Sequence, residues 1–186
     1  MKKVAILMAE GFEESETITI VDILRRANIE CNTFYFDEAL VKGMHQMCIK
    51  ADKKFSSEIK DYDMIVLPGG RPGGANLKAN PDVIEMVQYF NSQNKWIAAM
   101  CSGTVVLSDA KVITGKKVTG YTGYAEKLIG GIFEEKVVVL DQNIITSQGP
   151  ATPYPFAFQI AEALGADISE IKERLLYKEA GGREYH

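Results

Sequence analysis

Short apolar runs alternate with longer stretches of helical periodicity along this chain. Residues 3–8 form an apolar run that ends at the turn-prone Glu10-Gly11 pair, which is typical of a buried strand. Apolar residues then recur at helical spacing over residues 15–27, so the pattern predicts an amphipathic helix. Residues 30–36 alternate between two sets of side chains and include several aromatic ones, which predicts a second strand.

The same alternation continues to the end of the chain. A more polar, hairpin-like stretch follows the second strand, to about residue 55. Further strands are predicted at residues 63–67, 96–100, 117–119, 137–140 and 143–147, the last two as an antiparallel pair. Helices are predicted at residues 82–92 behind the Asn80-Pro81 cap signal, from the Cys101-Ser102-Gly103 segment to about 109, and at residues 153–164 and 168–177. Strands that alternate with helices imply an α/β fold with a mostly parallel sheet covered on both faces.

Length and composition limit the classes of protein. With 186 residues, 46% of them hydrophobic, the chain suits one core, so we expect a single domain over residues 1–186. The net charge is -4 and no basic block is present to follow a phosphate backbone, so nucleic acid is not expected as a primary partner. No stretch approaches the roughly 18 consecutive apolar residues of a membrane span. We expect a cytoplasmic protein without a membrane partner.

Cysteines and histidines add little to this picture by number alone. The three cysteines, Cys31, Cys48 and Cys101, include no C-x-x-C pair, which fits a reducing compartment. The two histidines, His45 and His186, are far apart, so they do not make a zinc site by themselves. No metal is expected.

Cys101 stands where a predicted strand passes into a predicted helix. Ligand sites of open α/β sheets lie at the carboxyl ends of the strands, and free N–H groups at a helix N-terminus lower the pKa of a thiol. Gly103 permits a tight turn at this junction. A lone cysteine after an apolar strand is more often a small buried hydrophobic residue than a functional one, and spacing alone leaves both interpretations open.

Two other segments end at the same edge of the predicted sheet. Gly69 and Gly70 follow a strand and leave N–H groups free for an oxyanion, although glycines are also the ordinary residues of a plain turn. Glu16 lies at the start of the first helix, where an acid is often only a favourable partner of the helix dipole.

The order and spacing of four segments narrow these alternatives. AEGFEESET, LPGG, AAMCSG and TSQGPAT together resemble the ThiJ/PfpI superfamily, especially its protein-deglycase-like (DJ-one-like) branch, over essentially the whole chain. The resemblance implies a flavodoxin-like three-layer sandwich with a mostly parallel central sheet. It also implies a homodimer to which the first helix and its neighbouring loops contribute.

The resemblance assigns roles to residues at matching positions. Cys101 becomes the nucleophile or oxidisable thiol, Glu16 the carboxylic acid beside it, and the N–H groups of Gly70 and Ser102 the oxyanion hole, with Gly69 as an accessory. A carboxyl that stays protonated donates a hydrogen bond without adding charge. We therefore expect a raised pKa for the acid and a lowered pKa for the thiol.

Three positions depart from the family pattern. Tyr121 stands near the place where many members carry a histidine, and a phenol is a poor general base at neutral pH, so a cysteine–histidine hydrolase is not favoured. His45 stands where relatives carry an arginine; it is an accessory candidate or an exposed loop histidine. Gln148 likewise replaces an arginine, which weakens anion binding there. Cys31 and Cys48 are expected to be structural.

The resemblance leaves two hypotheses for function. The first is a cysteine-dependent, cofactor-independent glyoxalase or deglycase that acts on reactive dicarbonyls or early glycation adducts in carbonyl or oxidative stress. The second is a non-catalytic redox sensor or chaperone that works through oxidation of Cys101. Both use the same residues, so turnover is what separates them.

Overall fold

The computed structural model of the chain describes residues 1–182, and His186 lies outside the described residues. Its helices and strands alternate along most of the chain. The strands are β1 Lys3–Met8, β2 Glu30–Tyr35, β3 Leu40–Lys42, β4 Cys48–Lys50, β5 Lys53–Lys54, β6 Met64–Leu67, β7 Trp96–Met100, β8 Lys117–Val118, β9 Ile132–Phe133, β10 Val138–Asp141 and β11 Ile144–Ser147. The α-helices are α1 Glu14–Arg26, α2 Gly73–Ala79, α3 Pro81–Ser92, α4 Val105–Asp109, α5 Pro153–Ala163 and α6 Ser169–Arg174.

Seven strands form the central sheet, in the order β10-β11-β7-β6-β1-β2-β5. Every neighbouring pair is parallel except β10 and β11, which are antiparallel. The expected α/β fold with a mostly parallel sheet is confirmed. The polar stretch after β2 contains the hairpin of β3 and β4, as its sequence predicts.

Alternate side chains of each strand face opposite sides of the sheet, and each side has its own apolar core. Val4, Ile6 and Met8 of β1 pack with buried residues of α1 and α5. Ala5 and Leu7 of the same strand pack with buried residues of α3 and α4. Both faces of the sheet are therefore covered, which explains why the central strands are continuous apolar runs rather than alternating ones.

Some elements differ from the sequence-based expectation. Helix α2 was not predicted, because it begins with two glycines, which have low helix propensity. The predicted strand at residues 117–119 is real, but it pairs with β9 in a separate two-stranded sheet. The last predicted helix ends at Arg174 rather than 177. Within residues 1–182, no helix combines the length and apolar character needed to cross a bilayer.

The sheet order places a crevice at the carboxyl ends of the central strands. From β1 the chain moves to β2 on one side, and from β6 it moves to β7 on the other. Loops that leave neighbouring strands in opposite directions open a crevice between them, which is where ligands bind in open α/β sheets. The segments after β1, β6 and β7, which carry the candidate residues, meet there.

Candidate active site

Cys101 occupies a strained elbow between β7 and α4. Its φ is 53°, a left-handed conformation that costs a non-glycine residue roughly 1–3 kcal/mol, and a short 3₁₀ turn over Cys101–Thr104 leads into the helix. Two hydrogen bonds fix the turn: Thr104 Oγ1 donates to the Cys101 carbonyl at 2.7 Å, and Ser102 Oγ donates to the Gly70 carbonyl at 2.9 Å. The surrounding structure therefore imposes this conformation on Cys101.

Gly103 serves the elbow in a different way from the one expected. The sequence predicts that it permits a tight turn, but its role is close approach to β6. A Cβ on Gly103 would overlap the main-chain carbonyls of Leu67 and Pro68. A residue without a side chain is required here for the elbow to pack against the end of the neighbouring strand.

Glu16 lies near the N-terminus of α1 and is fully buried. Its Oε2 accepts a hydrogen bond from the Gly69 N–H at 2.8 Å, while its Oε1 has no hydrogen-bond partner among the described residues. Burial raises the pKa of Glu16 to about 7, with a smaller upward contribution from the charge of Glu13, against the downward effect of the Gly69 N–H and the Cys101 thiol. Half of the Glu16 carboxyls are therefore protonated near neutral pH.

Gly69 separates the thiol from the carboxyl without room for a side chain. A Cβ at this position would lie 2.6 Å from Cys101 Cβ, 2.8 Å from Glu16 Oε2 and 3.0 Å from Cys101 Sγ. These three distances place the sulfur and the carboxyl oxygen on the same side of Gly69. Glycine is thus the residue that lets the two groups meet.

The prediction of a lowered thiol pKa is wrong. Burial of the thiol raises the pKa of Cys101 to about 12, and the negative charge of Glu16 adds to the increase. The N–H groups of Ser102 and Gly70 donate towards the sulfur and act in the opposite direction. The N–H donors lower the pKa of the thiol by less than burial and a second negative charge beside a buried carboxylate raise it.

Cys101 and Glu16 therefore ionise as a pair. The first proton leaves near pH 7, where the pKa of Glu16 lies, and only the second meets the full repulsion between thiolate and carboxylate. The Glu16 carboxylate that forms near pH 7 can accept the thiol proton as Cys101 Sγ attacks. The two N–H donors stabilise the negative charge that develops on the sulfur.

A pocket of about 180 Å³ opens at the thiol. Its lining includes Cys101, Ser102 and Gly70, together with Glu13, Arg71, Tyr121 and Tyr124. A larger groove of about 490 Å³ lies beyond β1 and β2, but the reactive thiol does not line it. The smaller pocket is the candidate active site because Cys101 lines it together with Gly70 and Ser102, the two N–H donors. Glu16 is fully buried and does not itself line the pocket.

Tyr121, the accessory candidate, lines this pocket. Its ring packs edge-on against Tyr124, with 5.7 Å between the ring centroids, and the Arg71 guanidinium lies 5.8 Å from the Tyr121 centroid. The two tyrosines give the pocket an aromatic wall. Gln148 is half-buried and does not line the pocket.

His45 forms its hydrogen bonds with Glu14 and not with the thiol. Its main-chain N–H donates to Glu14 Oε1 at 2.8 Å, and its ring Nδ1 lies 3.0 Å from Glu14 Oε2. The side chain is 62% exposed, as expected for a loop histidine, and it does not line the pocket. Within residues 1–182, candidate metal ligands gather only here, where ligand atoms of Glu13, Glu14 and His45 lie within 4.8 Å of one another.

The other two cysteines differ from each other. Cys31 is buried in the core between the sheet and α1, and burial raises its thiol pKa to about 12, which agrees with a structural role. Cys48 is exposed on β4, so its thiol is not packed in an apolar core, and the structural role expected for it stays a prediction. Its strand pairs with β3, and the neighbouring Ile49, not Cys48, packs against the apolar core on the α1 side of the sheet.

Sequence reasoning missed five residues of the pocket: Glu13, Met44, Arg71, Tyr124 and Pro150. Arg71 directly follows Gly70, so its place next to the oxyanion candidate was a usable signal. Glu13 accepts a hydrogen bond from the Glu16 N–H at 2.7 Å and caps α1, and the same oxygen accepts from Ser15 Oγ at 2.6 Å. This capping fixes the first turn of the helix that carries Glu16.

Comparison with known proteins agrees with this arrangement. The sequence profile of the DJ-1/PfpI family matches residues 2–163. The chain belongs to the DJ-1/PfpI family. Over 186 residues it is 33% identical to the Parkinson disease protein 7 homolog of Danio rerio, covering 96% of this chain and 98% of that one. The resemblance to this family seen in the sequence is confirmed.

Other members of the DJ-1/PfpI family carry names that describe an activity. The glutathione-independent glyoxalase DJ-1 of Schizosaccharomyces pombe is 31% identical, with 96% of this chain and 97% of that chain covered. Deglycase PfpI of Pyrococcus furiosus is 28% identical, with 87% and 99% covered. The solved structure of oxidised Toxoplasma gondii DJ-1 is 31% identical, with a TM-score of 0.89 over 95% of this chain and 99% of that chain. The flavodoxin-like fold of the family is therefore this chain's fold.

Proposed function

We propose that this protein is a cysteine-dependent glyoxalase or deglycase that needs no cofactor and acts on small reactive dicarbonyls or early glycation adducts. The observation that carries the proposal is the contact of the Cys101 thiol with a buried carboxyl whose pKa is about 7. A nucleophile and a group able to hold or release a proton at neutral pH are the two requirements of this chemistry. Relatives named as a glyoxalase and a deglycase support it.

The reaction begins with the paired ionisation. Cys101 Sγ adds to the aldehyde carbon of a 2-oxoaldehyde, a carbon–sulfur bond forms, and the carbonyl π-electrons move to oxygen, which takes up a proton to give a hemithioacetal. The N–H groups of Gly70 and Ser102 already donate towards Sγ. They are therefore near the oxygen that becomes negative on the carbon bonded to sulfur.

Glu16 then moves the proton that converts the adduct. Its carboxylate removes the hydrogen on the sulfur-bearing carbon and returns a proton to the neighbouring carbon, so that the hemithioacetal becomes a thioester of a 2-hydroxy acid. One carbon is oxidised and its neighbour is reduced, so no external oxidant or cofactor enters. Water cleaves the thioester, releases the 2-hydroxy acid and restores the Cys101 thiol.

The decisive experiment is conversion of methylglyoxal to lactate by the purified protein in thiol-free buffer. Turnover is expected for the unaltered protein and is expected to fall by at least 100-fold in both Cys101→Ser and Glu16→Gln, the loss typical of a nucleophile or general base. Cys48→Ser is the matched control, because it removes an exposed thiol outside the pocket. Absence of turnover in the unaltered protein, or equal loss in all three variants, would contradict the proposal.

A second function is favoured by the same N–H donors. Two equivalents of hydrogen peroxide would oxidise the Cys101 thiol to a sulfinic acid and release two water molecules. The sulfinate oxygens would accept from Gly70 and Ser102, and a protonated Glu16 would donate to them. No turnover with methylglyoxal, together with a gain of two oxygen atoms at Cys101 but not at Cys31 or Cys48, would select the sensor.

We also propose a cytoplasmic homodimer that uses α1 and the β3–β4 hairpin. Ile18 on α1 is 42% exposed and Met47 beside β4 is 52% exposed, which are apolar surfaces suited to a second copy of the chain. Light scattering is expected to give twice the mass of one chain, and the Ile18→Asp variant is expected to give a lower measured mass. A monomer at micromolar concentration would contradict this assembly.

A further inference from the structure

Arg71 brings a positive charge to the Cys101 pocket. It follows Gly70, whose N–H donates towards the sulfur, and it lines the same pocket of about 180 Å³. Its guanidinium lies 5.8 Å from the centroid of the Tyr121 ring, a cation–π contact that limits where the side chain can go. The charge is therefore held beside the aromatic wall of the pocket.

Arg71 has no acidic partner among residues 1–182, since none of their carboxylates forms an ion pair with it. The other charged residue of the lining is Glu13. One Glu13 oxygen is occupied by the Ser15 hydroxyl and the Glu16 N–H, and the other lies 3.8 Å from His45 Nδ1. The negative charge of Glu13 is thus compensated at the start of α1, whereas the positive charge of Arg71 is available to bind an anion.

We propose that Arg71, backed by Tyr121, forms an anion subsite that takes the carboxylate of a small aldehyde whose carbonyl carbon reacts with Cys101. A guanidinium remains charged at every accessible pH and offers paired N–H donors that match a carboxylate. The pocket volume restricts the ligand to a small molecule. The aldehyde part of the inference rests on the proposed function, but anion binding beside the thiol does not require turnover.

A pair of alkylating reagents tests the subsite without any assumption about catalysis. Iodoacetate and iodoacetamide are nearly the same size, and each forms a carbon–sulfur bond with Cys101 as iodide leaves, while the thiol proton passes to Glu16 or solvent. Only iodoacetate carries a carboxylate. The rate ratio of iodoacetate to iodoacetamide at Cys101, resolved by peptide mass spectrometry, therefore measures anion preference, and the exposed Cys48 is an internal reference thiol.

The ratio at Cys101 is expected to fall about fivefold to tenfold in Arg71→Gln, the effect of one charge-assisted contact, with the iodoacetamide rate within about twofold of the unaltered protein. The ratio for Arg71→Lys is expected to lie between those of the unaltered protein and Arg71→Gln, because lysine keeps the charge but lacks the fork of N–H donors. Lys127→Gln is the matched control: Lys127 Nζ lies 4.0 Å from the Tyr124 ring centroid but does not line the pocket. An unchanged ratio in Arg71→Gln, or an equal fall in Lys127→Gln or at Cys48, would overturn the subsite.

Reversible aldehydes test the substrate class. Glyoxylate, which carries a carboxylate next to its aldehyde, is expected to protect Cys101 from iodoacetamide at about fivefold lower concentration in the unaltered protein than in Arg71→Gln. Glycolaldehyde, which is neutral, is expected to protect both proteins equally. Equal protection by glyoxylate would overturn the assigned class. If methylglyoxal is not turned over but the iodoacetate ratio still falls, the enzyme proposal fails and the anion subsite stands.

Discussion

The main-chain N–H of Gly69 donates to Oε2 of Glu16 at 2.8 Å, although the two residues are 53 positions apart. This bond occupies one carboxyl oxygen and leaves Oε1, which has no partner among the described residues, as the place where a proton can reside. The loop after β6 thus determines how the acid on α1 presents itself to Cys101.

The first prediction concerns stability and pH. The pKa of Glu16 is raised from 4.5 to about 7, so between these values the folded state holds a proton that the unfolded state releases. The contribution of Glu16 to stability is therefore full below about pH 4.5 and decreases as the pH rises through about 7, by about 3 kcal/mol in total.

Urea unfolding of the unaltered protein and of Glu16→Gln at pH 5 and pH 8 measures this contribution. Relative to the glutamine variant, the unaltered protein is expected to lose stability at pH 8. Two pH profiles that run parallel would show that Glu16 has the same pKa in both states.

The second prediction concerns the reactivity of the thiol. Because Cys101 and Glu16 lose their first proton as a pair, alkylation of Cys101 by iodoacetamide is expected to rise through about pH 7 and then level off. In Glu16→Gln the increase in alkylation rate near pH 7 is expected to be absent. The rate at pH 7.5 is expected to fall at least about tenfold, since no base accepts the thiol proton. An unaltered protein whose rate increases only above pH 9 would contradict the paired ionisation.

The third prediction concerns Gly69. Gly69→Ala places a methyl group within 3.0 Å of both Cys101 Sγ and Glu16 Oε2, so it is expected to destabilise the fold by about 1–3 kcal/mol and to change the alkylation rate of Cys101. Gly115→Ala is the control, because Gly115 has a φ of 73° and nothing within 4 Å of an added Cβ. It is expected to cost about 1 kcal/mol without changing that rate; an equal change in both variants would argue against a spacer role.

The fourth prediction concerns the elbow. A left-handed conformation is unfavourable for alanine but not for glycine, and the φ of Cys101 is 53°. Cys101→Gly is therefore expected to unfold with a free energy about 1 kcal/mol higher than that of Cys101→Ala, the reverse of the usual order. Thermal or urea unfolding of the two variants measures the difference, and a more stable alanine variant would show that the elbow is not strained.

The framework of the fold was predictable because its signals are local. The apolar runs of β1, β6 and β7 and the Asn80 cap of α3, whose side chain accepts from the Asp82 N–H at 3.0 Å, depend only on neighbouring residues. Helix α2 and the separate pairing of β8 with β9 were not predictable in this way. Their stability comes from tertiary packing, which overrides propensity and cannot be judged from a few neighbouring residues.

The candidate site shows the same division. Cys101 and Glu16 could be named from motif order, and the structure brings them together at Gly69. The direction of the thiol pKa could not be inferred, because it depends on how deeply both groups are buried and on their mutual repulsion. The place of Arg71 directly after Gly70 was a usable signal, but its lack of a counter-charge among the described residues is a property of the folded pocket and not of its sequence neighbours.

The distance in sequence between the parts of the site has a consequence for newly made chains. Glu16, Gly69 and Cys101 become neighbours only when β1, β6 and β7 lie side by side, so contacts of long range must form before the acid meets the sulfur. Until then Cys101 has neither its carboxyl nor its N–H donors, and an electrophile meets three ordinary cysteines. Chemical selectivity among them is thus acquired only when these strands have paired, and it disappears with any partial unfolding that separates them.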